Sequence, residues 1–187
     1  MPLTKKATRM LALMDRANTL WRIPNIGRAK SRVLRRLIDK HRPERALELG
    51  SLLGYSAIVI AGALPPRGRL TCLENNAYLA KFVKSNVEAA GLGKKVRVVV
   101  EEALRAIPLL PGRFDFVLID AVKEDYLDYL RQLESKLTSD AVIVADNTGV
   151  YRRDVMPYLE YVRTGGGYAS REYDFGDDCM EVSVIRR

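Results

Sequence analysis

Oxygen-bearing side chains recur where apolar runs end. The run Phe114–Ile119 stops at Asp120, and the run Ala141–Ala145 stops at Asp146-Asn147. As neighbouring strands of a parallel sheet, these runs would bring three oxygen ligands to the sheet's carboxyl edge, where open α/β sheets bind ligands. That trio suits magnesium, which takes near-octahedral oxygen coordination from few protein groups and keeps positions for water and for two oxygens of a vicinal diol. A zinc centre of nitrogen and sulfur ligands cannot be assembled in one chain. It has 1 histidine, His41, and 2 cysteines, Cys72 and Cys179, both inside apolar runs where a thiol behaves as a small hydrophobe. A lone carboxylate at a strand end can equally cap a helix, so it is the three together that point to a cation.

A second constellation lies earlier in the chain. Ala46-Leu47-Glu48-Leu49 runs directly into Gly50-Ser51-Leu52-Leu53-Gly54-Tyr55-Ser56, where two glycines let the backbone turn sharply and approach a ligand closely. A helix starting near Tyr55 would offer free N–H groups and a positive dipole end to a carboxylate. The next apolar run ends at Glu74, 24 residues beyond Gly50, where a carboxylate can accept both hydroxyl protons of a ribose. The pairing suggests a nucleoside-bearing cofactor. A structural strand-to-helix turn with a solvated glutamate would account for the same residues. A nicotinamide dinucleotide fits less well, because its pyrophosphate loop wants three spaced glycines.

The elements that must position these groups follow from periodicity. Leu3, Ala7, Met10, Leu11, Met14, Ala17 and Trp21 follow helical spacing, and Ile26, Val33, Leu34, Leu37 and Ile38 repeat it after Pro24. Trp21 is expected in the core or, with Ile23 and Pro24, on the apolar side of the pocket. From Arg45 onward, short apolar runs alternate with helical patterns, the mark of parallel strands joined by crossover helices. Seven strands are expected at Arg45–Leu49, Arg69–Leu73, Val96–Val100, Phe114–Ile119, Ala141–Ala145, Tyr168–Tyr173 and Cys179–Ile185. Helices are expected at Tyr55–Leu64, Asn76–Ala90, Ala103–Leu109, Glu124–Leu137 and Arg153–Val162. The 187 residues suit one domain, 1–187, made of a basic helical segment, 1–44, and an α/β core, 45–187.

Charge is uneven. Residues 1–45 hold 13 Lys or Arg against 3 Asp or Glu, leaving 18 against 20 for the remainder, so the net +8 belongs to one segment. The longest apolar-looking stretch, Ala46–Leu64, contains Glu48 and polar or glycine breaks and fails as a membrane span. With no secretory pattern at its N-terminus, the chain is expected to be cytoplasmic.

Glu48-Leu49-Gly50-x-x-x-Gly54-Tyr55-Ser56 resembles the first motif of class I methyltransferases, and more narrowly of the metal-dependent O-methyltransferases typified by the catechol and caffeoyl-CoA enzymes. Asp120-Ala121-Val122-Lys123-Glu124-Asp125-Tyr126 followed by Asp146-Asn147-Thr148 resembles the metal and lysine motifs of that family, and Asn25-Ile26-Gly27 its cofactor-covering segment. The resemblance implies a Rossmann-like fold with a seven-stranded, mostly parallel sheet in the order 3-2-1-4-5-7-6. It implies S-adenosylmethionine bound by Ile26, Gly27, Glu48, Gly50, Gly54, Tyr55, Ser56, Glu74, Asn75, Ala103 and Asp120, and magnesium at Asp120, Asp146 and Asn147. It also implies Lys123 as general base, which suits a chain whose only histidine lies on a surface helix; a nearby cation favours proton loss from both an ammonium and a phenol. Glu172, before the last strand, corresponds to the family's ligand for the second hydroxyl, although a solvated strand residue would look the same. Ala121 and Val122 stand where mammalian catechol enzymes carry an aromatic pair, as small residues do in the caffeoyl-CoA type.

Three readings follow. The first is methyl transfer to a small catechol-like or polyphenolic hydroxyl, by a monomer or homodimer. The second is methylation of hydroxyuridine in transfer RNA, with Arg28, Lys30, Arg32, Arg35 and Arg36 as the nucleic-acid contact. A solvated helix face explains those charges more cheaply, and no aromatic stacking surface accompanies them. The third is a non-catalytic cofactor-binding module.

Overall fold

A computed structural model describes residues 3–186. Two helices open the chain, α1 (Lys5–Trp21) and α2 (Gly27–His41). Thr4 caps α1 by accepting from the N–H of Ala7, and Arg22 ends it in a left-handed conformation ahead of Pro24. The α/β part follows: β1 (Arg45–Leu49), α3 (Tyr55–Ala63), β2 (Arg69–Leu73), α4 (Ala77–Ala89), β3 (Val96–Val99), α5 (Ala103–Ala106), β4 (Phe114–Ile119), α6 (Tyr126–Glu134), β5 (Leu137–Ala145), α7 (Met156–Thr164), β6 (Tyr168–Asp174) and β7 (Cys179–Ile185).

All seven strands share one sheet in the order β3-β2-β1-β4-β5-β7-β6, as expected. The pairs from β3 to β5 are parallel, and β7 runs antiparallel to both β5 and β6. Apolar residues alternate between two cores because both faces are covered. Ala46, Cys72, Phe116, Leu118, Val142 and Val144 face α1 to α4. Leu47, Leu49, Leu73, Val117, Ile119 and Ile143 face α5 to α7. Both cysteines are free and buried. Among the described residues, no helix is long and apolar enough to cross a membrane.

Four expectations are corrected. The pattern read as one helix over Glu124–Leu137 divides into a 3-10 turn at Lys123–Asp125 and α6, which stops at Glu134. Strand β5 begins four residues earlier than Ala141, because Leu137 pairs with Phe114 across a bulge and Phe114 N–H reaches the Lys136 carbonyl at 2.7 Å. Trp21 is 77% exposed at the end of α1 and belongs to neither the core nor the cavity lining. Lys30, read as part of a solvated basic face, is buried on the same stripe of α2 as Val33, Leu34, Leu37 and Ile38.

Candidate active site

Four candidate residues stand in one row, each one step beyond a parallel strand. The N–H of Gly50 donates to Leu73, that of Glu74 to Val99, that of Asp120 to Leu49 and that of Asp146 to Ile119, at 2.9–3.1 Å. The sheet ladder thus continues one bond past β1, β2, β4 and β5 and fixes the spacing of all four groups. The row lies where β1 and β4 are neighbours, so the crossovers on either side leave in opposite directions and open a crevice. A cavity of about 660 Å³ fills that crevice.

On the β1–β2 side, Gly50 has φ +80°, and a Cβ there would lie 2.2 Å from the carbonyl oxygen of Asp120. Only glycine lets this loop lie against the chain that carries Asp120. Gly54, at φ +86°, starts α3 over Val83. The Glu74 carboxylate organises the loop: Oε2 accepts from the N–H groups of Ser51 (3.2 Å) and Leu52 (2.9 Å), and Oε1 from that of Asn76 (3.0 Å). Glu48 lies fully buried beneath the loop. Its Oε2 accepts from Ser51 Oγ at 2.6 Å, and burial pushes its carboxyl up from the usual range, with the hydrogen bond from Ser51 opposing. Tyr55 reaches the other way. Its hydroxyl donates to Asp15 of α1 at 2.9 Å, and Arg28 of α2 holds the same carboxylate at 2.7 Å, which pins the two opening helices over the cavity. Burial and Asp15 push the Tyr55 phenol up to about 12.

On the β4–β5 side, Lys123 Nζ lies 2.7 Å from Asp120 Oδ1 and 2.9 Å from the Tyr126 hydroxyl, which in turn donates to the Asp146 carbonyl at 3.1 Å. The Lys123 side chain is 14% exposed and its ammonium stands 5.2 Å from the Tyr126 ring and 5.7 Å from that of Tyr151. Asp146 is almost wholly buried, and its Oδ1 meets Lys30 Nζ as an ion pair at 2.5 Å. Burial and the charge of Asp120 push the Asp146 carboxyl well above the usual carboxylate range, with Lys30 opposing. Asp120 and Asp146, each one step beyond adjacent strands and each paired with a lysine, are hard oxygen donors of the kind a divalent cation takes. Asn147 completes it with an amide oxygen, and its left-handed φ of +59° is one that asparagine tolerates. Among the described residues, no group of three or more His, Cys, Asp or Glu could hold a metal. The candidate set is two carboxylates and one amide.

The cavity wall includes Ile26, Gly50, Tyr55, Ser56, Glu74, Asn75, Ala103, Asp120, Lys123 and Asn147. Gly27, Glu48, Gly54 and Asp146 sit outside or beneath that wall. Glu172 does not join the site. Two guanidiniums, Arg152 at 2.5 Å and Arg163 at 2.8 Å, hold its carboxylate and keep it ionised below the usual range. Sequence reasoning missed the roof, where Met10, Leu13, Met14 and Ala17 of α1 face the cavity, and it missed Tyr151. Helical spacing could have found the roof, since Met10, Met14 and Ala17 lie on one stripe. Tyr151 follows Asn147 in a turn without periodicity and left no such signal.

Comparison with known proteins places the chain. The profile of the family described as O-methyltransferase matches residues 6–156. Catechol O-methyltransferase B of Danio rerio is 35% identical over 174 residues, 86% of this chain and 65% of that protein. Catechol O-methyltransferase of Mus musculus is 32% identical over 165 residues, 84% of this chain and 62% of that protein. The chain thus spans a little under two thirds of the length of these relatives. An O-methyltransferase from Bacillus cereus, solved in complex with SAH, superposes with a TM-score of 0.85 at 23% identity, covering 100% of this chain and 93% of that one. With the profile covering most of its length, the chain belongs to the O-methyltransferase family.

Proposed function

We propose that this chain transfers the methyl group of S-adenosylmethionine to one hydroxyl of a small aromatic vicinal diol held through magnesium. The carrying observation is that the glycine loop and the Asp120–Lys123–Asn147 cluster face one cavity, with Asp120 common to both. The catechol activity named for the relatives from Danio rerio and Mus musculus, and the SAH in the protein from Bacillus cereus, support this reading.

In it, the amino-acid end of the cofactor meets the N-terminal end of α3 at Tyr55 and Ser56, and Glu74, at the cavity wall, takes the ribose hydroxyls. Asp120, Asp146 and Asn147 would hold magnesium, which supplies a fixed anchor for two adjacent oxygens and lowers their affinity for protons. Lys123 Nζ, 2.7 Å from Asp120, is within reach of a hydroxyl held at that carboxylate and, as the neutral amine that a neighbouring cation favours, takes its proton. The oxygen then bonds to the methyl carbon as the carbon–sulfur bond breaks, and the sulfonium leaves as a thioether. The chain's contribution is largely placement of oxygen, methyl carbon and sulfur in line. The apolar roof of Met10, Leu13 and Met14, with Ile23 and Pro24, excludes water and favours a flat apolar acceptor.

The test is transfer of labelled methyl from S-adenosylmethionine to catechol, a caffeoyl derivative, a monophenol and bulk transfer RNA. Labelling of the diols, with the monophenol far behind, is the expected result. Labelling of RNA alone would overturn the small-molecule reading.

A further inference from the structure

Asp178, the residue before β7, lies outside the cavity wall, yet its carboxylate accepts from five donors. Oδ1 takes the N–H groups of Gly149 (3.1 Å), Val150 (3.0 Å) and Cys179 (2.8 Å). Oδ2 takes Lys30 Nζ at 2.6 Å and Asn147 Nδ2 at 2.7 Å. Lys30 continues to Asp146 at 2.5 Å. An ionised carboxylate only accepts hydrogen bonds, so chemistry dictates that the donor end of the Asn147 amide faces Asp178. The carbonyl end is then the one available to a cation. The backbone bonds to Gly149 and Val150 also fix the turn that carries Asn147 at its positive φ and Tyr151 into the cavity.

We infer that Asp178 is a positioning residue of the cation site, selecting which end of the Asn147 amide a divalent cation meets and, through Lys30, tying that choice to Asp146. This rests on the proposed reading that Asp120, Asp146 and Asn147 hold the cation. Outer-shell partners that orient metal ligands are commonly worth about 10–100-fold in affinity.

The experiment is calorimetric titration of Mn2+ into the wild type, Asp178→Asn, Asp120→Asn and the double variant Asn147→Asp/Asp178→Asn, with SAH titrated into each. In Asp178→Asn the three backbone N–H groups keep the amide oxygen at the Oδ1 position, so the new NH2 faces the Asn147 donor and the Asn147 amide rotates, offering nitrogen to the cation. Mn2+ affinity should fall by about 10-fold or more while SAH affinity holds. The double variant restores net charge, reverses the hydrogen bond and returns an oxygen to the cation, so its Mn2+ affinity should recover. Wild-type Mn2+ affinity in Asp178→Asn, with binding lost in Asp120→Asn, would overturn the positioning role and leave the cation site standing. Equal losses of Mn2+ and SAH binding in Asp178→Asn would also overturn it, as general disruption. Absence of saturable Mn2+ binding in the wild type would overturn both readings. Should Asp178→Asn not fold, the wild type still decides: the Asn147 side-chain amide protons should be protected from solvent exchange by NMR, and rapid exchange would contradict the inference.

Discussion

Across the cavity, the glycine-loop wall takes its shape from backbone and from residues close in sequence, with Ser51 and Leu52 bound to a carboxylate 23 and 22 positions away. The opposite wall is backed by side chains from distant segments: Lys30 meets Asp178 behind it across 148 positions, and Asn147 meets the same group across 31. A wall made of backbone tolerates little change in shape, because each atom is held by the sheet itself. One made of converging charges depends instead on which groups are ionised and on which way each hydrogen bond runs. The two walls should therefore fail differently when altered.

The largest effect is expected on the charged wall. Lys123→Ala should lower kcat by about 10²–10⁴ while SAH affinity stays near wild type, as steady-state kinetics and calorimetry can check. An unchanged kcat would remove Lys123 from the proton transfer. On the backbone wall, Gly50→Ala should act through shape, since its Cβ meets the Asp120 carbonyl at 2.2 Å. Cofactor binding should weaken severely and thermal stability should drop by about 1–3 kcal/mol. Wild-type SAH affinity in that variant would mean the loop has room the structure does not show.

Smaller effects sharpen the contrast away from the cavity. Glu172 is held ionised by hydrogen bonds from Arg152 and then Arg163, so its folded pKa lies below its unfolded one. Its contribution is present above the unfolded carboxylate range and is lost as pH falls through the folded value. Glu172→Gln should flatten the acid side of the stability profile by less than about 1 kcal/mol, the group being part-exposed. The KM for catechol should stay within about twofold; a large rise would put Glu172 back at the acceptor. Trp21→Ser, at an exposed helix end, should shift stability by less than about 0.5 kcal/mol.

The same contrast decides what could be read in advance. Strand ends and the glycine loop were legible because they follow from local alternation of apolar runs and from two glycines whose spacing has a backbone cause, whereas the order of the sheet came only with the resemblance of the motifs to a known family. Asp120, Asp146 and Asn147 were legible as strand-end oxygens. Lys30 was misread because its charge was weighed and its position was not. It stands three and four residues before Val33 and Leu34, on the stripe that α2 buries. Asp178 could not be recognised as a hub, because its partners lie in three segments that only the folded sheet brings together. The ion pairs of Glu172 were hidden for a related reason: its arginine partners, Arg152 and Arg163, have no motif to announce them.

The claim that both walls serve one reaction through Asp120 is tested most directly by measuring catechol methylation by the wild type with magnesium, with excess EDTA, and after magnesium is restored. The account predicts turnover that collapses with EDTA and returns with the metal, while SAH affinity is little changed throughout. Turnover of catechol that persists undiminished in EDTA would contradict it.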